Sequence, residues 1–65
     1  MKTQEEMILD YLKEHGSITS MQAFRRLGIT RLSARVYDLR DHGHNVVTET
    51  VTKNGKRYAA YKLYE

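Results

Sequence analysis

ITSMQAFRRLGITRLSARVYDLRDHGHNVVTETV, residues Ile18–Val51, reads as two short helices, a tight turn between them, and the start of a hairpin. Thr19 and Gln22 have capping-box spacing, which opens a helix running from about Ser20 to about Leu27 with Ala23, Phe24 and Leu27 turned inward. Gly28 then stands where a left-handed residue ends a helix, and Ile29 where a Schellman ending places its hydrophobic contact. Thr30 is placed to cap a further helix from about Arg31 to about Asp41, whose Leu32, Val36 and Leu39 recur at i, i+4 and i+7. Only Gly28, Ile29 and Thr30 separate the two helices, and Gly43 ends the second.

Upstream, Thr3 and Glu6 repeat the capping-box spacing, and Met7, Ile8, Tyr11 and Leu12 recur at helical intervals as far as Gly16. A first helix is therefore expected from about Gln4 to about His15, with Glu5, Glu6 and Lys13 on its solvated side. Ser17–Thr19 leaves room for a short strand.

Downstream, VVTETVT and KRYAAYKLY are rich in β-branched and aromatic residues and flank Lys53-Asn54-Gly55-Lys56. Asn-Gly between two such runs specifies a two-residue hairpin turn. With Asn54 and Gly55 as the turn, Val46 pairs with Leu63, Thr48 with Tyr61, Thr50 with Ala59 and Val51 with Tyr58. Alternation then puts Val46, Thr48, Tyr61 and Leu63 on one face, able to close over the helices, and Val47, Glu49 and Lys62 on the other. The expected fold is α+β, mainly α: one domain over residues 1–65, three helices followed by a two-stranded hairpin.

At 65 residues the chain buries one thin core. Eleven Lys and Arg against eight Asp and Glu give a net charge of +3, which favours a polyanionic partner without requiring one. There is no cysteine, so disulfides, thiolate metal sites and a cysteine nucleophile are excluded. The first residues carry acids where a secretory leader would be apolar, so a cytoplasmic setting without a membrane is expected.

His15, His42 and His44 lack zinc-ligand spacing, and the five tyrosines are not patterned as a base-stacking platform. No Ser-His-acid set, carboxylate pair or Gly-rich phosphate loop can be assembled. An enzyme, a metal and a cofactor are therefore not expected.

Helical geometry on the third helix turns Thr30, Ala34, Tyr37 and Asp41 away from the apolar stripe, with Arg31 and Asp38 beside them and Ser33 and Arg35 flanking. An outward surface of small residues and arginine suits the major groove, where a guanidinium grips guanine in two places and small residues permit close approach. Arg35 and Arg40 sit at the edge of the stripe, where their stems either cover the core or reach outward, and Asp38 and Asp41 offer them ion pairs. On the second helix Gln22 and Arg26 lie one turn apart. Lys53, Lys56 and Arg57 surround Asn54, a placement that serves phosphate contact or simply keeps a turn soluble.

Taken together, TSMQAFRRLGITRLSARVYDLRDHGHNVVTETVTKNGKRYAAYKL resembles the small winged helix-turn-helix domains common in bacteria and bacteriophages. The phrase LGITRLSARVYDLRDHG looks most like the short phage-type members. The resemblance implies a duplex DNA partner, with the third helix in the major groove through Thr30, Arg31, Ser33, Ala34, Arg35, Tyr37 and Asp38. It implies a wing on the backbone through Lys53, Asn54, Lys56 and Arg57, with Gln22 and Arg26 as positioning contacts.

The implied roles are a small transcriptional regulator or an accessory or architectural factor in the cytoplasm of a bacterium or its virus, acting as a monomer or weak dimer. The same fold also docks proteins, so an adaptor to a host or phage protein is the alternative. The chain departs from larger regulators of this type in having no effector domain and no evident dimerisation helix.

Overall fold

The computed structural model describes all residues from Met1 to Glu65. Helix α1 (Gln4–His15) leads into strand β1 (Ser17–Thr19) and the short helix α2 (Ser20–Gln22), which continues as a π-helical turn, Ala23–Leu27. Helix α3 (Leu32–Asp41) and the hairpin strands β2 (Val46–Lys53) and β3 (Lys56–Leu63) complete the chain. The sheet is antiparallel in the order β1-β3-β2, so the last strand lies between the other two.

Helix α1 begins on a full capping box. The Thr3 hydroxyl accepts the Glu6 N–H, and the Glu6 carboxylate accepts the Thr3 N–H in return. The helix ends on Gly16, whose φ of 87° is a left-handed conformation that other residues adopt at a cost. Ile8 and Leu12 are fully buried, and α1 packs against β1, the π turn, α3 and β3. Around it the core gathers Ile18, Ala23, Ile29, Leu32, Val36, Leu39, Val46 and Tyr61.

The second helix departs from the expected one. It starts on the Thr19–Gln22 capping box, but after Gln22 the backbone widens into the π turn. Gly28 N–H bonds to Phe24 O at 3.1 Å, and Ile29 N–H reaches Ala23 O at 3.0 Å, one residue further back than in a Schellman ending. The wider turn sets Ile29 into the core beside Ala23, both essentially inaccessible. Their volume closes the inner side. Phe24, expected inward, is instead 58% exposed, and Leu27 is only partly buried.

The third helix begins one residue later than expected. Arg31 occupies the N-cap position with φ −122° and ψ 63°, and no side chain caps the first turn. Thr30 therefore does not cap this helix, because the chain is still turning when it passes Arg31. The buried stripe of Leu32, Val36 and Leu39 is as the spacing predicts.

The hairpin has the register read from Asn54-Gly55, with Val46 opposite Leu63, Thr48 opposite Tyr61, Thr50 opposite Ala59 and Val51 opposite Tyr58. Both turn residues are left-handed, Asn54 at φ 53° and Gly55 at 76°, as a type I′ turn requires. Val46 and Tyr61 face the core. Thr48, expected to close over the helices with them, is exposed, and its hydroxyl accepts a hydrogen bond from Arg40 of α3. No helix is long and apolar enough to cross a membrane.

Candidate nucleic-acid interface

Three segments expose the residues expected to meet a partner: the end of the π turn, the outward side of α3, and the tip of the hairpin. Arg25 and Arg26 close the π turn and are exposed. Thr30 and Arg31 are exposed in the connection before α3, so both flank its start and neither lies on its side. Along α3 itself Ser33 is exposed, Ala34 is partly exposed, and Tyr37 projects with 70% of its surface accessible.

Lys53, Asn54, Lys56 and Arg57 are exposed at the hairpin tip. The strand carrying Lys53 starts at Val46 against α3 and runs outward for seven residue steps, about 23 Å. The molecule is correspondingly elongated, 37 × 23 × 21 Å. This geometry sets the tip cations far from the core on a two-stranded arm.

The two arginines within α3 both contact other groups of the chain. Arg40 donates from Nε to the Val46 carbonyl and from Nη2 to the Thr48 hydroxyl, both at 2.7 Å. It joins the helix to the hairpin base and covers one outward carbonyl of β2. Arg35 pairs with Asp38 one turn on, Nη2 to Oδ2 at 3.4 Å, and its Nε is buried without a partner. Gln22 is exposed, but its carboxamide oxygen accepts the Thr19 N–H at 3.0 Å. Its NH₂ group is what remains to meet a partner.

Charge is distributed unevenly along the fold. Lys2 pairs with Asp10 and Lys62 with Glu49, while Arg35 and Arg40 are engaged as described. Lys13 lies unpaired on α1, and the unpaired Arg25, Arg26, Arg31, Lys53, Lys56 and Arg57 all lie on the helix-turn-helix segment or the hairpin tip. Four acids, Glu5, Glu6, Asp10 and Glu14, lie on α1.

At the hairpin base Glu49 accepts from Lys62 at 3.1 Å and from the Tyr64 hydroxyl at 3.1 Å. These bonds lower the Glu49 pKa from its ordinary 4.5, and Glu49 in turn raises that of Lys62. Two of the three histidines pair with single carboxylates, His42 with Glu5 at 3.1 Å and His44 with Glu65 at 2.7 Å. No three His, Cys, Asp or Glu residues are placed to hold one metal ion.

Sequence reasoning missed one surface. A groove of about 500 Å³ runs between the start of α2 and β3, lined by Thr19, Ser20, Met21, Gln22, Tyr58 and Ala59. It forms because β1 ends at its Thr19–Ala60 pair while β3 continues to Lys56, so α2 diverges from a strand edge left open. Met21 and Phe24, three residues apart, are each 58% exposed. Their i, i+3 spacing carried the signal, but it reads equally well as a buried stripe.

A family model described as a winged helix-turn-helix domain matches residues 3–65 of the chain. No curated protein and no solved structure matched it.

Proposed function

The chain belongs to the winged helix-turn-helix domain family, and from that premise we propose that it binds duplex DNA, with α3 in the major groove and the hairpin tip on the backbone. Family membership supports a DNA-binding role in general. The distribution of unpaired charge carries the specific reading: six cations without ion-pair partners occupy the segments that flank α3 or form the wing, and four acids lie on α1. Phosphates release counterions when such cations neutralise them, so this pattern yields affinity that falls steeply with salt.

On this reading Arg25, Arg26, Arg31, Lys53, Lys56 and Arg57 position the protein, with Gln22, Thr30 and Asn54 as neutral donors. Ser33, Ala34 and Tyr37 face the base edges. Arg35 and Asp38, tied to each other, shape that surface from its rim. One module makes few phosphate contacts, so binding as a single copy is weak and strengthens when two copies sit side by side. The roles that suit such a surface are those of a transcriptional regulator or an accessory factor.

Fluorescence anisotropy against a duplex pool, repeated across salt concentrations, tests the proposal. Binding at low salt that weakens in a Lys53/Lys56/Arg57→Ala variant supports it, and no binding at low salt defeats it. The groove with Met21 and Tyr58, beside the exposed Phe24, favours a second reading as a protein-docking module. In that case a captured partner survives nuclease treatment and the triple wing variant, but is lost on Met21→Asp.

A further inference from the structure

Guanine is read in the major groove by a free guanidinium or ammonium that reaches O6 and N7 together. Within α3, Arg40 is held away from such a contact and Arg35 stands at the helix flank, off its outward centre. Turning Arg40 outward would strip the Val46 carbonyl and the Thr48 hydroxyl of their donor, while Arg35 lies on the flank of the helix with its Nη2 3.4 Å from Asp38 and its Nε buried. Asp38 stands beside Arg35, a cation that competes with a cytosine amine for its carboxylate.

What α3 presents outward is shorter and less polar. Ser33 supplies a hydroxyl, Ala34 a methyl group, and Tyr37 an exposed ring ending in a hydroxyl. Ala34 also lets the helix backbone approach closely. Asp41 is exposed at the far end of α3, seven residues and about 10 Å beyond Ala34, where its charge repels phosphates. The N-terminal half of the helix is thus the part that suits the groove.

Resting on the DNA-binding reading above, we propose that α3 selects an A·T step, with Ala34 and Tyr37 packing on thymine C5-methyl groups. Tyr37 is the specificity-determining residue. The thymine methyl is the one apolar feature of the major-groove floor, and an Ala methyl beside an aromatic ring is its chemical complement. The hydroxyls of Ser33 and Tyr37 serve the adenine N6/N7 edge or thymine O4. The cations that flank the helix hold phosphates and leave this choice of base to its middle.

The test is selection of tight-binding duplexes from a random pool by the full 65-residue chain, followed by replacing thymidine with 2′-deoxyuridine one position at a time. The expected result is an enriched A·T step at which losing one methyl weakens binding about fourfold, the worth of one buried methyl group. In Tyr37→Ala, shown to be folded by circular dichroism, the deoxyuridine penalty disappears at the thymine that Tyr37 covers and persists where Ala34 packs.

Enrichment of guanine at the centre overturns the inference. So does an A·T preference indifferent to deoxyuridine, which would mark readout of groove shape. Binding without enrichment also overturns it while leaving the DNA-binding proposal standing, and no binding at low salt removes both.

Discussion

Helices α1 and α3 have similar lengths, twelve and ten residues, and each buries an apolar stripe in the same core, yet they begin in opposite ways. Helix α1 opens on a complete capping box with Glu5 and Glu6 in its first turn, where acids complement the positive end of the helix dipole. Helix α3 opens on Arg31 with no side-chain cap and no acid in its first turn. The difference teaches that the fold satisfies the first turn of α1 with its own side chains and leaves that of α3 without one. At α1 the first turn is satisfied internally. At α3 it is left to solvent or a partner.

The comparison breaks first in the core. Leu12→Ala in α1 and Leu39→Ala in α3 should each cost about 2–5 kcal/mol, measurable by urea denaturation, because both side chains are 2% exposed or less. If α3 tolerates its truncation and α1 does not, the helices do not share one core.

Arg40→Ala should destabilise by about 1–2 kcal/mol through its lost bonds to β2, whereas Arg31→Ala should leave the denaturation midpoint nearly unchanged and weaken DNA binding. Thr3→Ala should cost about 1 kcal/mol as a lost cap. Thr30→Ala, lacking that role, should change stability by less than about 0.5 kcal/mol. Equal costs for the two threonines would mean that Thr30 caps α3 after all.

At the wing, each cation among Lys53, Lys56 and Arg57 that touches a phosphate should lower the salt slope by about 0.9 when replaced by Ala, with no change in thermal midpoint. The smallest effect lies at the hairpin base. The Glu49 pKa is lower in the folded chain than its ordinary 4.5, so its bonds to Lys62 and Tyr64 stabilise the fold above that value. This contribution fades as pH falls through the lowered pKa. Thermal midpoints of the native chain should therefore drop more on acidification below 4.5 than those of Glu49→Gln.

Much of the architecture is written in short-range signals. Thr3-Glu6 and Thr19-Gln22 specify two helix starts because each partner lies three residues from the other and needs nothing else to form its bonds. Asn54-Gly55 specifies the hairpin register because a two-residue turn leaves one way to align the strands, and every pair expected from it is present. The outward placement of Ser33, Ala34 and Tyr37 follows from the spacing of Leu32, Val36 and Leu39.

The remaining features depend on contacts between segments. Phe24 looks like a core residue at helical spacing, but across the π turn Ala23 and Ile29 are the buried residues, and Phe24 is left in solvent. Thr30 has the composition of a cap, yet the angles at Arg31 delay the helix past its reach. Arg35 and Arg40 lie at an edge of the stripe where local geometry permits either direction. The passage of β2 beside α3 draws Arg40 onto the hairpin, and Asp38 draws Arg35 along the helix flank.

By itself the sequence determined the first helix, the start of the second, the buried stripe of the third and the hairpin turn, because near neighbours settle each of them, and the turn then aligned the strands. The order β1-β3-β2, the open groove beside α2, and the arginines left free to meet a partner were decided only by tertiary structure. Each depends on which distant segment arrives beside it, and periodicity along one element carries no record of that.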